Sequence, residues 1–395
     1  MRTTTIAVAL LFVLLGSSLV VAPAKAAELA IGFLSRERPP LTQVSPVDAD
    51  LPDSGLDGAR LAIADGNTTG RFSGHSFRLI ERRIGSGDIA AGLFELAGQG
   101  VRFVTTDLDA EDLLAAADAA RHADIRLINA RAPDDRLRNE DCRASMLHTV
   151  PSRAQIADGL AQYLVWKRWR RWFLIVGRGE GDIEVAAALH RSAKRFGAEI
   201  VAEKRWTFQP GNARADTGHV ALQSEIPVFT RAPDHDVLVV ADERGEFGDY
   251  LEGRTALPRP VVGTHGIVAG GWSTMNEQWG AAQLHSRFQK LAGRRMNAAD
   301  YAAWLAVRAV SEAAIRTRSS DPGVLNAYLR GPDFVLAGFK GQGLSFRDWD
   351  GQMRQPVLIS TARLLVSASP QPGFLHRGSE LDTLGTDREE SRCRM

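Results

Sequence analysis

The chain has 395 residues, 24% of them charged, with a formal net charge of +1. That length supports two domains of ordinary size and a core that needs no disulfide staples. The balanced charge gives no electrostatic footprint for nucleic acid.

Residues 1–26, MRTTTIAVALLFVLLGSSLVVAPAKA, combine an early Arg2, an apolar run from Ile6 to Leu15 and a small-residue Ala24-Lys25-Ala26 end. That order predicts a secretory signal peptide with a mature start at Ala27. Gly16-Ser17-Ser18 cuts the apolar run short of the ~20 residues needed to span a bilayer. Losing Arg2 and Lys25 takes the formal charge from +1 to −1. The mature protein is expected to be soluble and exported to an oxidising compartment. There, an isolated pair of cysteines is a disulfide candidate. Cys142 and Cys393 are that pair, and sequence alone leaves two free thiols open.

ELAIGFL reads as a buried strand, GLDGARLAIADGN as a helix stopped by Gly66-Asn67, and HSFRLIERRI as a strand. DIAAGLFELAGQG, AEDLLAAADAARHA and SRAQIADGLAQYLVWKRW follow as helices, alternating with the strands VRFVTT and IRLINA. The rhythm continues with RWFLIVG, the helix DIEVAAALHRSAKRFGA, and the strands EIVAEKRW, DHDVLVVAD and RPVVGTH. NAADYAAWLAVRAVSEAAIRTR is a long helix with Asn297 as its cap. DPGVLNAYLRG is a shorter one with Pro322 in its first turn. Strand–helix alternation predicts parallel sheets covered by helices. In the C-terminal part, Trp349-Asp350-Gly351 signals a hairpin turn. The tail after Ser369 is expected to pack as irregular structure or to fray.

Helix GLDGARLAIADGN resembles the first helix of type I periplasmic solute-binding proteins, the receptors of ABC importers for branched-chain amino acids and related solutes. The resemblance continues through LFELAGQGVRFV, CRASMLHTVPSRAQIADGLAQYLV, WRRWFLIVG, FGAEIVAEKRW and YAAWLAVRAVSEAAIRTRS. The stretches LSFRDWDGQMRQPVL and GFLHRGSELDTLGTDREESRC resemble a narrower branch of ABC substrate-binding proteins found alongside PQQ-dependent alcohol oxidation. The resemblance implies an α/β fold of two lobes, each a parallel-sheet sandwich, joined by three crossovers. The expected division is 27–149 with 266–340 in lobe one, 150–265 with 341–368 in lobe two, and 369–395 as a tail. It also implies a monomer that traps a small solute by lobe closure, docks transiently on an ABC permease and ATPase, and needs neither cofactor nor catalytic residue. A ligand-sensing domain of the same fold and an exported enzyme are the alternatives.

Ligands of open α/β sheets bind outside the carboxyl ends of the strands. In lobe one that rule selects Thr105, Thr106 and Asp107 after one strand, and Asn129 and Arg131 after the next. The small-hydroxyl cradle usual in amino-acid receptors of the resembled family is largely replaced here. Asp109, Glu111 and Asp112 are read instead as first-turn acids, with Asp109 the N-cap. In lobe two the rule selects Arg178, Glu180 and Asp182 in VGRGEGD, Asp242 and Glu243 in ADERGEF, and Thr264 and His265. The glycines of VGRGEGD are spaced G-x-G-x-G, which is not the dinucleotide fingerprint. No CxxC, HxxxH or calcium-loop spacing supports a metal site, and no G-x-S-x-G supports a serine nucleophile. WKRWRRW reads as a basic helix end with aromatics packed beneath, rather than as a nucleic-acid or membrane surface.

Overall fold

The computed structural model describes residues 27–38, 51, 53–207 and 225–394. The expected signal peptide lies outside these residues. Among the described residues no helix is long and apolar enough to cross a membrane.

The first lobe is built from β1 (Ala27–Arg36), α1 (Leu56–Gly70), β2 (His75–Ile84), α2 (Ile89–Gly98), β3 (Phe103–Asp107), α3 (Ala110–Ala123), β4 (Arg126–Asn129) and β5 (Met146–His148). Its five strands are all parallel, in the order β2-β1-β3-β4-β5. Strand β1 shows why the sequence reads as an apolar run: helices cover both faces, so alternate side chains enter two different cores. Leu29, Ile31 and Phe33 join one core, and Leu34 joins the other.

The second lobe contains α4 (Arg153–Trp166), β6 (Arg171–Val176), α5 (Glu180–Phe196), β7 (Glu199–Arg205), β8 (Val237–Ala241), β9 (Val261–Gly263) and β10 (Ile267–Gly270). The chain then returns to lobe one for α6 (Ala281–Ala292), α7 (Ala298–Thr317), α8 (Pro322–Arg330) and the small sheet β11 (Leu336–Ala337), β12 (Gly343–Phe346) and β13 (Met353–Arg354). Finally β14 (Val357–Ser360) and β15 (Leu365–Ser369) complete a seven-stranded sheet, β15-β14-β10-β9-β8-β6-β7. Its last two strands, β14 and β15, run antiparallel to their neighbours.

The chain therefore passes between the sheets three times, after β5, after β10 and before β14. Two of the expected boundaries shift. Residues 267–270 pair with β9 and β14, so they belong to the second sheet and not to lobe one. Leu344, Phe346 and Met353 bury themselves in the core of lobe one, so 341–354 do not belong to lobe two. The three passages lie side by side. Gln355 donates to the Thr149 carbonyl at 2.7 Å, and a Cβ on Gly271 would stand 2.9 Å from Pro151.

Other local expectations are refined. Helix α1 does not stop at Gly66-Asn67 but continues to Gly70, because the Asn67 amide pairs with the Phe77 backbone of β2 instead of breaking the helix. Within WKRWRRW, Trp172 is fully buried and Lys167 lies over the Trp166 and Tyr163 rings. Gly351, at φ 68°, makes the expected turn between β12 and β13. The tail does not fray. Asp382 pairs with Arg347 and Arg354 beside lobe one, while Gly385 donates to Asp158 of α4 and accepts from Arg191 and Arg195 of α5. It ends in a Cys142–Cys393 disulfide, so the tail straps both lobes.

Candidate functional site

The two sheets point their carboxyl ends at a common cleft of about 1110 Å³. From lobe one come the first turn of α3, the loop Ala130–Asp134 after β4, and the start of α7 with Ala298, Ala299 and Tyr301. From lobe two come the start of α4, the turn Gly179–Asp182 opening α5, and Glu243-Arg244 after β8. Four helix N-termini thus face one cavity. Each is capped locally: Asp109 accepts from Asp112 N, Ser152 from Gln155 N, Asp182 from Gly179 N, and Asn297 from Asp300 N. Uncapped amides of the first turns and the helix dipoles make such a cavity favourable to negative charge on a ligand.

The side chains supply the opposite bias. The lining carries seven carboxylates against four guanidiniums. Arg153 is the hub. It forms a bidentate pair with Glu243 at 3.0 and 2.8 Å, and lies 2.6 Å from Glu184 and 3.4 Å from Asp134. The Asp134 contact crosses from lobe two to lobe one. Burial works against the Arg153 charge, but the hydrogen bond and charge of Glu243, with Asp134 and Glu184, outweigh it and raise its pKa. Burial raises the Glu184 carboxyl, helped by Asp134, Glu243 and Glu180 and opposed by Arg153. Behind these groups Trp272 stacks on Tyr301 with ring centroids 4.2 Å apart, giving the cleft an aromatic wall.

Of the residues expected at the site, Arg131, Glu180, Asp182 and Glu243 line the cleft. Arg131 also leans on Asp107 at 3.3 Å. Burial pulls its pKa down, Asp107 opposes that and Arg38 reinforces it. Asp182 is largely committed to structure, accepting from the backbone of Gly179 and Glu243.

The other expected residues sit elsewhere. Thr105 and Thr106 are fully buried within β3, where side chains enter the helix-covered cores. Asp107 is 6% exposed and held by Arg38 and Arg131, so it positions Arg131 from behind. Asn129 is spent on its own turn, accepting from Arg131 N and Ala132 N and donating to Ala132 O. Arg178 turns outward to the carbonyls of Trp206 and Thr207. Asp242, Thr264 and His265 line a second cavity that opens beside the first. Asp242 accepts from the backbone of Glu246, Phe247 and Gly248, a loop-closing role.

Sequence reasoning missed Arg153, Asp134, Glu184, Trp272 and Tyr301. Ser152-Arg153 was legible as a helix start, and the carboxyl-end rule could have extended to it. Trp272 and Tyr301 gave no local signal, since they reach the cleft through a crossover and a returning helix. Among the described residues no His, Cys, Asp or Glu cluster is arranged to hold a metal ion.

Two lobes with parallel-sheet cores, three crossovers and a cleft at the strand ends define the type I periplasmic binding protein fold. The sequence profile of a family described as periplasmic binding protein matches residues 41–223. A branched-chain amino acid ABC transporter periplasmic ligand-binding protein of Burkholderia xenovorans superposes with a TM-score of 0.69 at 15% identity, over 93% of this chain and 99% of that one. A branched-chain amino acid transporter substrate-binding protein of Streptococcus pneumoniae, in complex with isoleucine, gives 0.61 at 18% identity, over 86% and 98%. A solute-binding protein of Rhodopseudomonas palustris, in complex with 3,4-dihydroxybenzoic acid, gives 0.63 at 15% identity, over 87% and 97%. All three are described as ligand-, substrate- or solute-binding proteins. No curated protein matches this chain.

Proposed function

We propose that this chain is the periplasmic substrate-binding component of an ABC importer. It takes a small zwitterionic or cationic solute, an amino acid or close relative, between its lobes and releases it unchanged to a permease and its ATPase. The observation that carries this reading is the cleft itself: charged groups of both lobes meet there, and the Arg153–Asp134 contact spans it. A ligand touching both walls favours the closed arrangement by its differential affinity for the two states. The excess of carboxylates suits an ammonium group, and the four helix starts suit a carboxylate. The Burkholderia and Streptococcus proteins, both described as binding proteins of branched-chain amino acid transporters, support amino acids as the class. A link to PQQ-dependent alcohol oxidation rests on the resemblance of the C-terminal stretches alone. It adds alcohol-derived acids and PQQ to the ligands worth screening.

Calorimetry and thermal-shift measurements against free amino acids, with small-angle scattering of the same samples, test the proposal. A ligand at 100 times its Kd is expected to stabilise by about 2.7 kcal/mol and to compact the protein. A rigid particle that responds to no solute would end it.

A further inference from the structure

A second cavity of about 450 Å³ runs from the cleft beneath α4 into lobe two. Its walls are apolar. Ile156 and Leu160 share one face of α4, and Val185 and Leu189 share one face of α5, each pair at i, i+4 spacing. Val268 and Ala269 of β10 form the floor. Gly263 of β9 lines it too; at φ 115°, and with a Cβ that would lie 2.3 Å from the Val240 carbonyl oxygen, that position tolerates no side chain. The mouth is the Arg153–Glu243 pair, and both residues line both cavities. The two spaces therefore share an entrance, and one molecule can occupy both.

The loops after β8 and β9 make one wall polar. His265 Nδ1 lies 3.0 Å from Thr264 Oγ1. Its Nε2 stands 3.9 Å from Asp242 and 3.8 Å from Asp249, beyond hydrogen-bond distance. The Asp242 carboxylate is already occupied by three backbone amides. On that wall the largely buried His265 ring keeps its Nε2 free of a hydrogen bond.

We propose that this cavity is a side-chain subsite for the apolar tail of the solute, aryl-sized and ending in a hydroxyl that pairs with His265, while the charged head stays in the cleft. The apolar lining suits a hydrocarbon or aryl tail, and His265 Nε2 suits a hydroxyl on it. The volume falls in the range of about 300–1,000 Å³ that holds small molecules. The inference rests on the solute-capture reading for the head, but not for the tail.

The test has two arms on the full mature chain. Calorimetry compares alanine, phenylalanine and tyrosine. Fluorine NMR follows 4-fluorophenol, which has a tail and no head. Tyrosine is expected to bind most tightly and alanine least. Val185→Trp, which fills the cavity from a half-buried wall position, is expected to cut the phenylalanine-to-alanine affinity ratio by roughly tenfold or more and to remove 4-fluorophenol binding. His265→Leu is expected to erase the preference for tyrosine over phenylalanine, and circular dichroism shows that both variants fold. If no amino acid binds but 4-fluorophenol still binds and is lost in Val185→Trp, the subsite stands and the amino-acid reading falls. If 4-fluorophenol does not bind, or binds equally to Val185→Trp, the subsite is overturned.

Discussion

Replacing Cys142 and Cys393 by serine removes a crosslink between residues 251 positions apart. In the chain-entropy model, a loop of that length restricts the unfolded chain by about 5.5 kcal/mol at 25 °C. Residual structure in the unfolded state lowers the observable effect, so a loss of about 3–5 kcal/mol is expected. The folded state should barely change. The strap remains held by Asp382 against Arg347 at 2.8 Å, by Gly385 N against Asp158 at 2.8 Å and by Arg195 against Glu390 at 2.8 Å. The unfolded chain, released from its loop, should expose more surface, so the urea m-value should rise. Urea titration of oxidised wild type, reduced wild type and the double-serine variant gives the answer. The last two should coincide. A loss below about 1 kcal/mol with an unchanged m-value would refute the reasoning, because it would mean that the disulfide does not constrain the unfolded chain.

Gly58 lies where α1 meets α7, and a Cβ there would fall 1.8 Å from the Asp300 carbonyl oxygen. Gly58→Ala should therefore destabilise by about 2 kcal/mol or more in urea titration. Lys340 is buried against Gln355, the Pro356 carbonyl and the Tyr301 ring, with no carboxylate partner among its hydrogen bonds, and burial lowers its pKa well below the ordinary lysine value. The unfolded chain then takes up that proton first, so stability rises with pH toward about 10.4. Lys340→Met should flatten that rise in thermal melts. His148, buried beside Asn129, is held neutral by burial, with Arg138 and Arg330 adding to the effect. Stability should fall as pH drops below about 6.5, by up to about 1.4 kcal/mol per pH unit, and His148→Gln should remove that component of the slope. Asp107→Asn should free Arg131 and weaken solute binding without unfolding the chain, and unchanged affinity in calorimetry would detach Arg131 from recognition.

Periodicity was enough to read most of the helices and strands, because an element covered on both faces needs an uninterrupted apolar run and a surface helix needs its stripe. β5, β10 and α6 escaped it. Strands of three and four residues contain too few side chains to set a period. Helix α6 has only Ala281, Leu284 and Phe288 buried, and most of its other residues are polar.

The sequence by itself determined the parallel α/β character, the two-lobed resemblance and the loops that had to be searched, since strand polarity and the carboxyl-end rule depend only on chain order. Only the tertiary structure decided which residues in those loops face solvent space and which are used up inside. Asp107, Asn129 and Asp242 all sit at the carboxyl ends of strands, yet each is held by neighbouring arginines or backbone amides. Arg153 and Tyr301, distant in the chain, line one cleft because three crossovers fold side by side. Burial and hydrogen bonding are properties of neighbours in space, and a buried carboxylate takes the nearest donors whether or not a ligand would also have suited it.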